Sequence, residues 1–144
     1  MTREQVLAWE EKQPLRYEFD GFQPIAMTGG TAAHAAIQRN LAIAIGGRLR
    51  SGPCRFYGND LKIETANGFR YPDGFGVCSP VARNVTVVRD PVVIFEVLSE
   101  STAGIDLVTK NQEYSASFCV QRSAQDMIGG IMFERVAGDW SDIC

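Results

Sequence analysis

A mixed sheet flanked by helices, an α/β domain, is the fold class that three patterns in the chain predict. Residues 32–49 place Ile37, Leu41, Ile45 and Leu49 at helical spacing on one stripe. Residues 54–78 read as two extended arms about an Asn67-Gly68 turn. Val92 to Leu98, VVIFEVL, is apolar on both faces, as a strand covered on both sides requires. Helices and strands in this order fit an α/β or α+β sandwich.

The other elements fall around these three. Thr2-Arg3-Glu4-Gln5 has the spacing of a capping box and opens a short amphipathic helix with Val6, Leu7 and Trp9, which Pro14 ends. Residues 16–27 read as two short strands joined at Asp20-Gly21. Gly29-Gly30-Thr31 is a break before the long helix, and Gly52-Pro53 stops it. Beyond the hairpin, Val85 to Val88 is a short strand-like run. Ser99, Ser101 and Thr102 are read as helix caps rather than nucleophiles, and a helix is expected from Ala103 or Asp106 to Phe118. A last strand is expected over residues 130–136, with Trp140 folding back near the end.

At 144 residues the chain is sized for a single domain, 1–144. No apolar run approaches the roughly 18 residues of a membrane span. The opening MTREQVLAWEEK lacks the apolar stretch of a signal peptide, so a cytoplasmic location is the expectation. A net charge of −3 argues against non-specific coating of nucleic acid, which depends on phosphate neutralisation. It leaves room for an enzyme with a local basic groove, because acidic metal ligands lower the net charge themselves. Cys54, Cys78, Cys119 and Cys144 form no CxxC unit, which excludes a zinc knuckle. Three have apolar neighbours and read as reduced, buried thiols, with an oxidised pair or a surface thiol as the alternative. No glycine run has GxGxxG or Walker spacing.

Two carboxylates stand out. Glu96 interrupts the doubly covered strand, on the face of Val92, Ile94 and Leu98. Burying it costs several kcal/mol unless a metal ion or a cationic side chain offsets its desolvation; the alternative is a strand-end acid in solvent. Asp73 shares its alternation with Phe69, Tyr71, Phe75 and Val77, and Pro72 beside it suggests an edge or a bend. Gly74 and Gly76 keep open a plain turn or bulge aspartate. Two such acids on adjacent strands repel unless Mg²⁺ or Mn²⁺, which take oxygen ligands, lies between them. Lys110, on the helix after the Glu96 strand, either points back over the strand end or is an ordinary surface lysine. Glu18 is a third acid of the site or a solvated strand residue. His34, the one histidine, reads as a hydrogen-bonded structural residue, and its solitude excludes a multi-histidine zinc site.

The order Tyr17-Glu18-x-Asp20-Gly21, His34 opening a long helix, Gly58-x-Asp60-Leu61, Tyr71-Pro72-Asp73 and Glu96-Val97-Leu98-Ser99-x-Ser101-Thr102, followed by Asp106, Lys110 and Tyr114, resembles the Uma2-like family. The resemblance runs over about residues 2–114. That family is placed among the PD-(D/E)xK nucleases, so the resemblance implies a restriction-endonuclease-like mixed-sheet core. It also implies hydrolysis of nucleic-acid phosphodiesters, with DNA the expected substrate, and Mg²⁺ or Mn²⁺ as cofactor. Asp73 then corresponds to the PD aspartate and Glu96 to the second acid. Leu98 stands where lysine is usual, and Lys110 takes the lysine's place from the following helix. Glu18 corresponds to the acid of an early helix or strand. The backbone carbonyl of Val97 would complete the metal ligands with Asp73 and Glu96, and Arg39, Arg48 and Arg55 are candidate phosphate contacts. Past Tyr114, YSASFCVQRSAQDM replaces the strand and loop usual in the family, which implies a truncated or altered C-terminal part. The alternative reading is a catalytically degenerate interaction domain of the same fold. Ile128, Ile131, Met132 and Phe133 would then serve a homodimer. A hydrolase of small phosphate esters would share the same ligands.

Overall fold

The hairpin at Asn67-Gly68 forms, but its two arms are each broken and feed two different sheets. The structure, a computed structural model, describes residues 1–97, 105–117 and 131–135. Near the turn, β4 (Lys62–Glu64) pairs antiparallel with β5 (Phe69–Arg70), Ile63 facing Arg70. Farther out, β3 (Arg55–Gly58) pairs antiparallel with β6 (Gly74–Val77), Gly58 facing Gly74. Between these ladders, residues 59–62 on one arm run against residues 71–73 on the other. The arms are unequal there, and Pro72 has no N–H to give to a ladder, so the ribbon bends and parts. One mixed sheet holding 54–65, 69–78 and 92–98 is therefore replaced by two.

Among the described residues the first sheet has the order β2-β1-β5-β4-β7. Its strands β1 (Tyr17–Phe19) and β2 (Pro24–Ala26) pair about Gly21, whose φ is +96°, a conformation glycine adopts without strain. Asp20 Oδ1 closes this turn by accepting the N–H groups of Phe22 and Gln23 at 2.8 and 2.9 Å. A side chain at Gly68 would meet the Phe19 carbonyl oxygen at 1.9 Å, so only glycine lets β1 lie against β5. β7 (Val87–Val88) joins the far edge parallel to β4 and gives this sheet its mixed character.

The second sheet, order β3-β6-β8-β9, is antiparallel throughout. β8 (Val93–Val97) is buried along its whole length, as its apolar run requires. β9 (Ile131–Arg135) pairs with it from Val93↔Arg135 to Val97↔Ile131, within the strand expected at 130–136. The glycines of β6 do not break it. Phe56 lies so close over Gly74 that an added Cβ would stand 2.4 Å from its ring, so the aromatic fills the space the glycine leaves.

Among the described residues, three helices cover the sheets. α1 (Arg3–Glu10) opens with the Thr2–Gln5 capping box and packs Val6 against Phe19 and Phe69. Lys62 Nζ lies 2.8 Å from Glu10 Oε2, and the Tyr71 hydroxyl donates to Glu10 Oε1 at 2.9 Å, which ties the same helix to β4 and to the Tyr71–Asp73 connection. α2 (Ala32–Leu49), capped by Thr31, lays Leu41 and Ile45 on Val93, Phe95 and Phe56. On the opposite face of the second sheet, Phe75, Val77 and Ile94 meet Ile63 and Val88 of the first, together with Tyr114 of α3 (Ile105–Ser117). The central layer is thus apolar on both sides, which is why β8 lacks alternation.

Cys54 and Cys78 are joined in a disulfide, not kept as separate thiols. They flank β3 and β6, and extending the Arg55↔Val77 register by one residue sets them opposite each other. Leu98, Ser99, Ser101, Thr102, Cys119, Ile128, Trp140 and Cys144, with the roles expected of them, lie outside the described residues.

Candidate metal centre

The β6–β8 register decides the centre. Gly74 faces Phe95, so one further step sets Asp73 opposite Glu96. Asp73 is not a strand residue on the face of Phe75, as alternation suggested; it occupies the bend after Pro72. There its Oδ2 accepts the main-chain N–H of Val97 at 2.6 Å. Its Oδ1 accepts from Gln38 Nε2 at 2.5 Å and lies 3.5 Å from His34 Nε2. Gln38 and His34 stand one turn apart at the start of α2, so the helix that packs on the second sheet also orients the aspartate.

Glu96 lies on the side of β8 where Ile94 and Tyr114 pack, close enough to Asp73 for the two charges to interact. It is 8% exposed, which sets aside the solvated strand-end alternative. The Tyr114 hydroxyl donates to its Oε1 at 2.6 Å, and Lys110 Nζ lies 3.6 Å from the same oxygen. Burial pushes the Glu96 carboxyl up to about 7; Lys110 opposes this, the Asp73 charge adds to it, and the Tyr114 hydrogen bond opposes it. Tyr114 is raised well above an ordinary phenol by burial and by the Glu96 carboxylate.

Lys110 is not a surface lysine: its side chain is 13% exposed and also lies 3.6 Å from Glu18 Oε1. Glu18 is 7% exposed rather than solvated. Its Oε1 accepts the Tyr71 N–H at 3.0 Å and its Oε2 accepts from Arg70 Nη1 at 3.0 Å. Arg70 in turn holds Glu113 of α3 with a two-pronged contact, Nε to Oε2 at 2.7 Å and Nη2 to Oε1 at 2.6 Å. Burial opposes the guanidinium charge, and the two carboxylates more than compensate, raising its pKa.

Asp73, Glu96, Val97, Lys110 and Glu18 are therefore brought together, and the three arginines are not brought to them. Arg39 is exposed and turns to Asn40 at 3.2 Å. Arg48 lies ten residues along α2 from Gln38, about 15 Å away at helical rise. Arg55 closes its own loop through the Gly52 and Cys54 carbonyls and faces Val77, at the end of β3 remote from Asp73. Nothing in the sequence singles out Gln38, Arg70, Glu113 or Tyr114 for a role in the centre, and His34 reads there as structural. The available hints were spacings: His34 and Gln38 four apart, and Lys110, Glu113 and Tyr114 three and four apart on one helical face.

Among the described residues, no three His, Cys, Asp or Glu side chains converge as a complete metal cage. Mg²⁺ and Mn²⁺ do not require one, since one or two carboxylates with water and phosphate oxygens suffice for Mg²⁺. Glu96 Oε2 has no hydrogen-bond partner among the described residues although its carboxylate is buried. A buried oxygen left open beside a second carboxylate fits a hard divalent cation.

Comparison with known proteins identifies the family of the chain. The family model described as "Uma2: Putative restriction endonuclease" matches residues 3–122. The uncharacterized protein slr1290 of Synechocystis sp. is 34% identical over 118 residues, 80% of this chain and 62% of the relative. The chain thus spans somewhat under two thirds of that relative's length. No solved structure matches. The chain belongs to the Uma2 family.

Proposed function

We propose that this chain is a divalent-metal-dependent nuclease that hydrolyses phosphodiester bonds, with DNA as substrate. The observation that carries the reading is the register pairing of Asp73 with Glu96 under the ammonium of Lys110. Asp73, Glu96 and the Val97 carbonyl would hold Mg²⁺ or Mn²⁺. When bound, the ion supplies a Lewis acid for the phosphate and lowers the pKa of water.

The chain's own residues do the rest. Gln38, His34 and the Val97 N–H fix the Asp73 carboxylate, so its orientation need not be reorganised when the ligand arrives. Tyr114 fixes Glu96 through Oε1 and leaves Oε2 for the cation. Lys110 Nζ sits where it can donate to a phosphate oxygen as charge develops there. Among the described residues no helix is long and apolar enough to cross a membrane.

The test is cleavage of supercoiled and linear DNA by the purified protein with Mg²⁺ or Mn²⁺, beside Glu96→Ala and Asp73→Asn. Metal-dependent cleavage lost in both variants is the expected result. A folded protein that cleaves neither DNA nor RNA sinks the nuclease reading and favours a non-catalytic interaction domain. Cleavage of small phosphate esters alone would redirect it to that substrate class.

A further inference from the structure

Arg70 is 3% exposed and grips carboxylates from two elements, Glu18 on β1 and Glu113 on α3. A guanidinium fork holding a carboxylate through two parallel bonds fixes its partner's orientation as well as its charge. Glu113 shares a helical face with Lys110 and Tyr114, so holding Glu113 holds the face that presents Lys110. Glu18 closes the loop from the other side. Both of its oxygens accept hydrogen bonds, and Oε1 faces Lys110 Nζ.

We propose that Arg70 is a positioning residue: the buried bridge Glu18–Arg70–Glu113 sets Lys110 against Glu96, and Glu18 serves as a counter-charge in it, not as a metal ligand. The centre accordingly takes one ion. The importance of Lys110 for catalysis rests on the nuclease reading; the bridge itself does not, and its main test needs neither metal nor nucleic acid.

The chain has three lysines, Lys12, Lys62 and Lys110, so a full-length protein carrying ¹³C in its lysine side chains gives a spectrum simple enough to assign. Lys62 is held by Glu10, separately from the bridge, and reports whether the fold is intact. In Arg70→Gln and in Glu113→Gln, the Lys110 Cε–Hε resonance is expected to collapse toward that of Lys12, while Lys62 stays in place. An unmoved Lys110 in either folded variant overturns the positioning role. If Arg70→Gln also displaces Lys62, as unfolding would, the Glu113→Gln spectrum decides.

Calorimetric titration with Mn²⁺ tests the role of Glu18. One ion per chain in the wild type, kept in Glu18→Gln with Kd within about threefold, is the expected result. Two ions falling to one would make Glu18 a ligand and overturn that part. A wild type that binds no Mn²⁺ counts against the nuclease reading, and the lysine spectra still decide the bridge.

Discussion

The Tyr114 hydroxyl donates to Glu96 Oε1 across 2.6 Å, and both groups are buried. The bond joins the described part of α3 to the central strand at the point where the proposed cation would sit. It also holds one carboxylate oxygen, while the other has no hydrogen-bond partner among the described residues.

Removing that hydroxyl tests how much it fixes. Tyr114→Phe leaves Glu96 without its neutral donor, which should lower stability by about 1–3 kcal/mol. Because the bond favours the ionised carboxylate, its loss should also move Mn²⁺ binding to higher pH. Denaturant unfolding and Mn²⁺ titrations between pH 6 and 8, run beside wild type, check both, and a variant indistinguishable from wild type in the two assays sinks the argument.

The pH dependence of the metal-free protein should be unusual in sign. Glu96 is held at about 7 against an ordinary 4.5, so between those values the folded chain keeps a proton that the unfolded chain has released. The contribution is present below about pH 4.5 and is lost as pH rises to about 7, with an upper bound of about 3 kcal/mol. Glu96→Gln should remove this component, and the difference between the two stability–pH curves isolates it. Since a divalent ion binds the ionised form, Mn²⁺ affinity should climb with pH up to about 7 and flatten above.

Gln38 is expected to matter for metal affinity more than for folding. Its amide is one of the groups aiming Asp73, and partners of this kind typically contribute 10–100-fold to affinity, roughly. Gln38→Ala should therefore weaken Mn²⁺ binding by about that factor while costing only about 1 kcal/mol of stability. Titration calorimetry and thermal unfolding on one sample check it; equal Mn²⁺ affinity with and without the amide would remove Gln38 from the centre.

The Cys54–Cys78 bond joins residues 24 positions apart and lies at the end of β3 and β6 away from Asp73. Reduction should cost about 3 kcal/mol, as expected for a loop of this length. Thermal unfolding with and without reductant measures that loss. Mn²⁺ affinity should change little, because the Asp73 end of β6 is held independently by Gln38 and Val97.

Much of the framework was legible because its causes are local. The Thr2–Gln5 box, the Asp20-Gly21 turn, the α2 stripe and the apolar β8 run each act within a few residues, and each formed where expected. Asp73 and Glu96 were visible as carboxylates in apolar company, a costly arrangement that draws attention to itself. Their face assignments fared differently: Glu96 obeys strand alternation, whereas Asp73 sits where Pro72 ends it.

What only the tertiary structure decided was which distant groups meet. Arg70 finds Glu113 43 positions away and Glu18 52 positions away, and Cys54 finds Cys78 through a register that the bend in the hairpin sets. Alternation tells on which side a side chain leaves its strand; it does not tell what will face it. The chain alone therefore determined its helices, its turns and the two acids. The pairing of β6 with β8 determined that those acids stand opposite each other, and packing set them under a lysine held by a buried arginine bridge, because only packing brings oppositely charged groups so far apart in sequence out of water together.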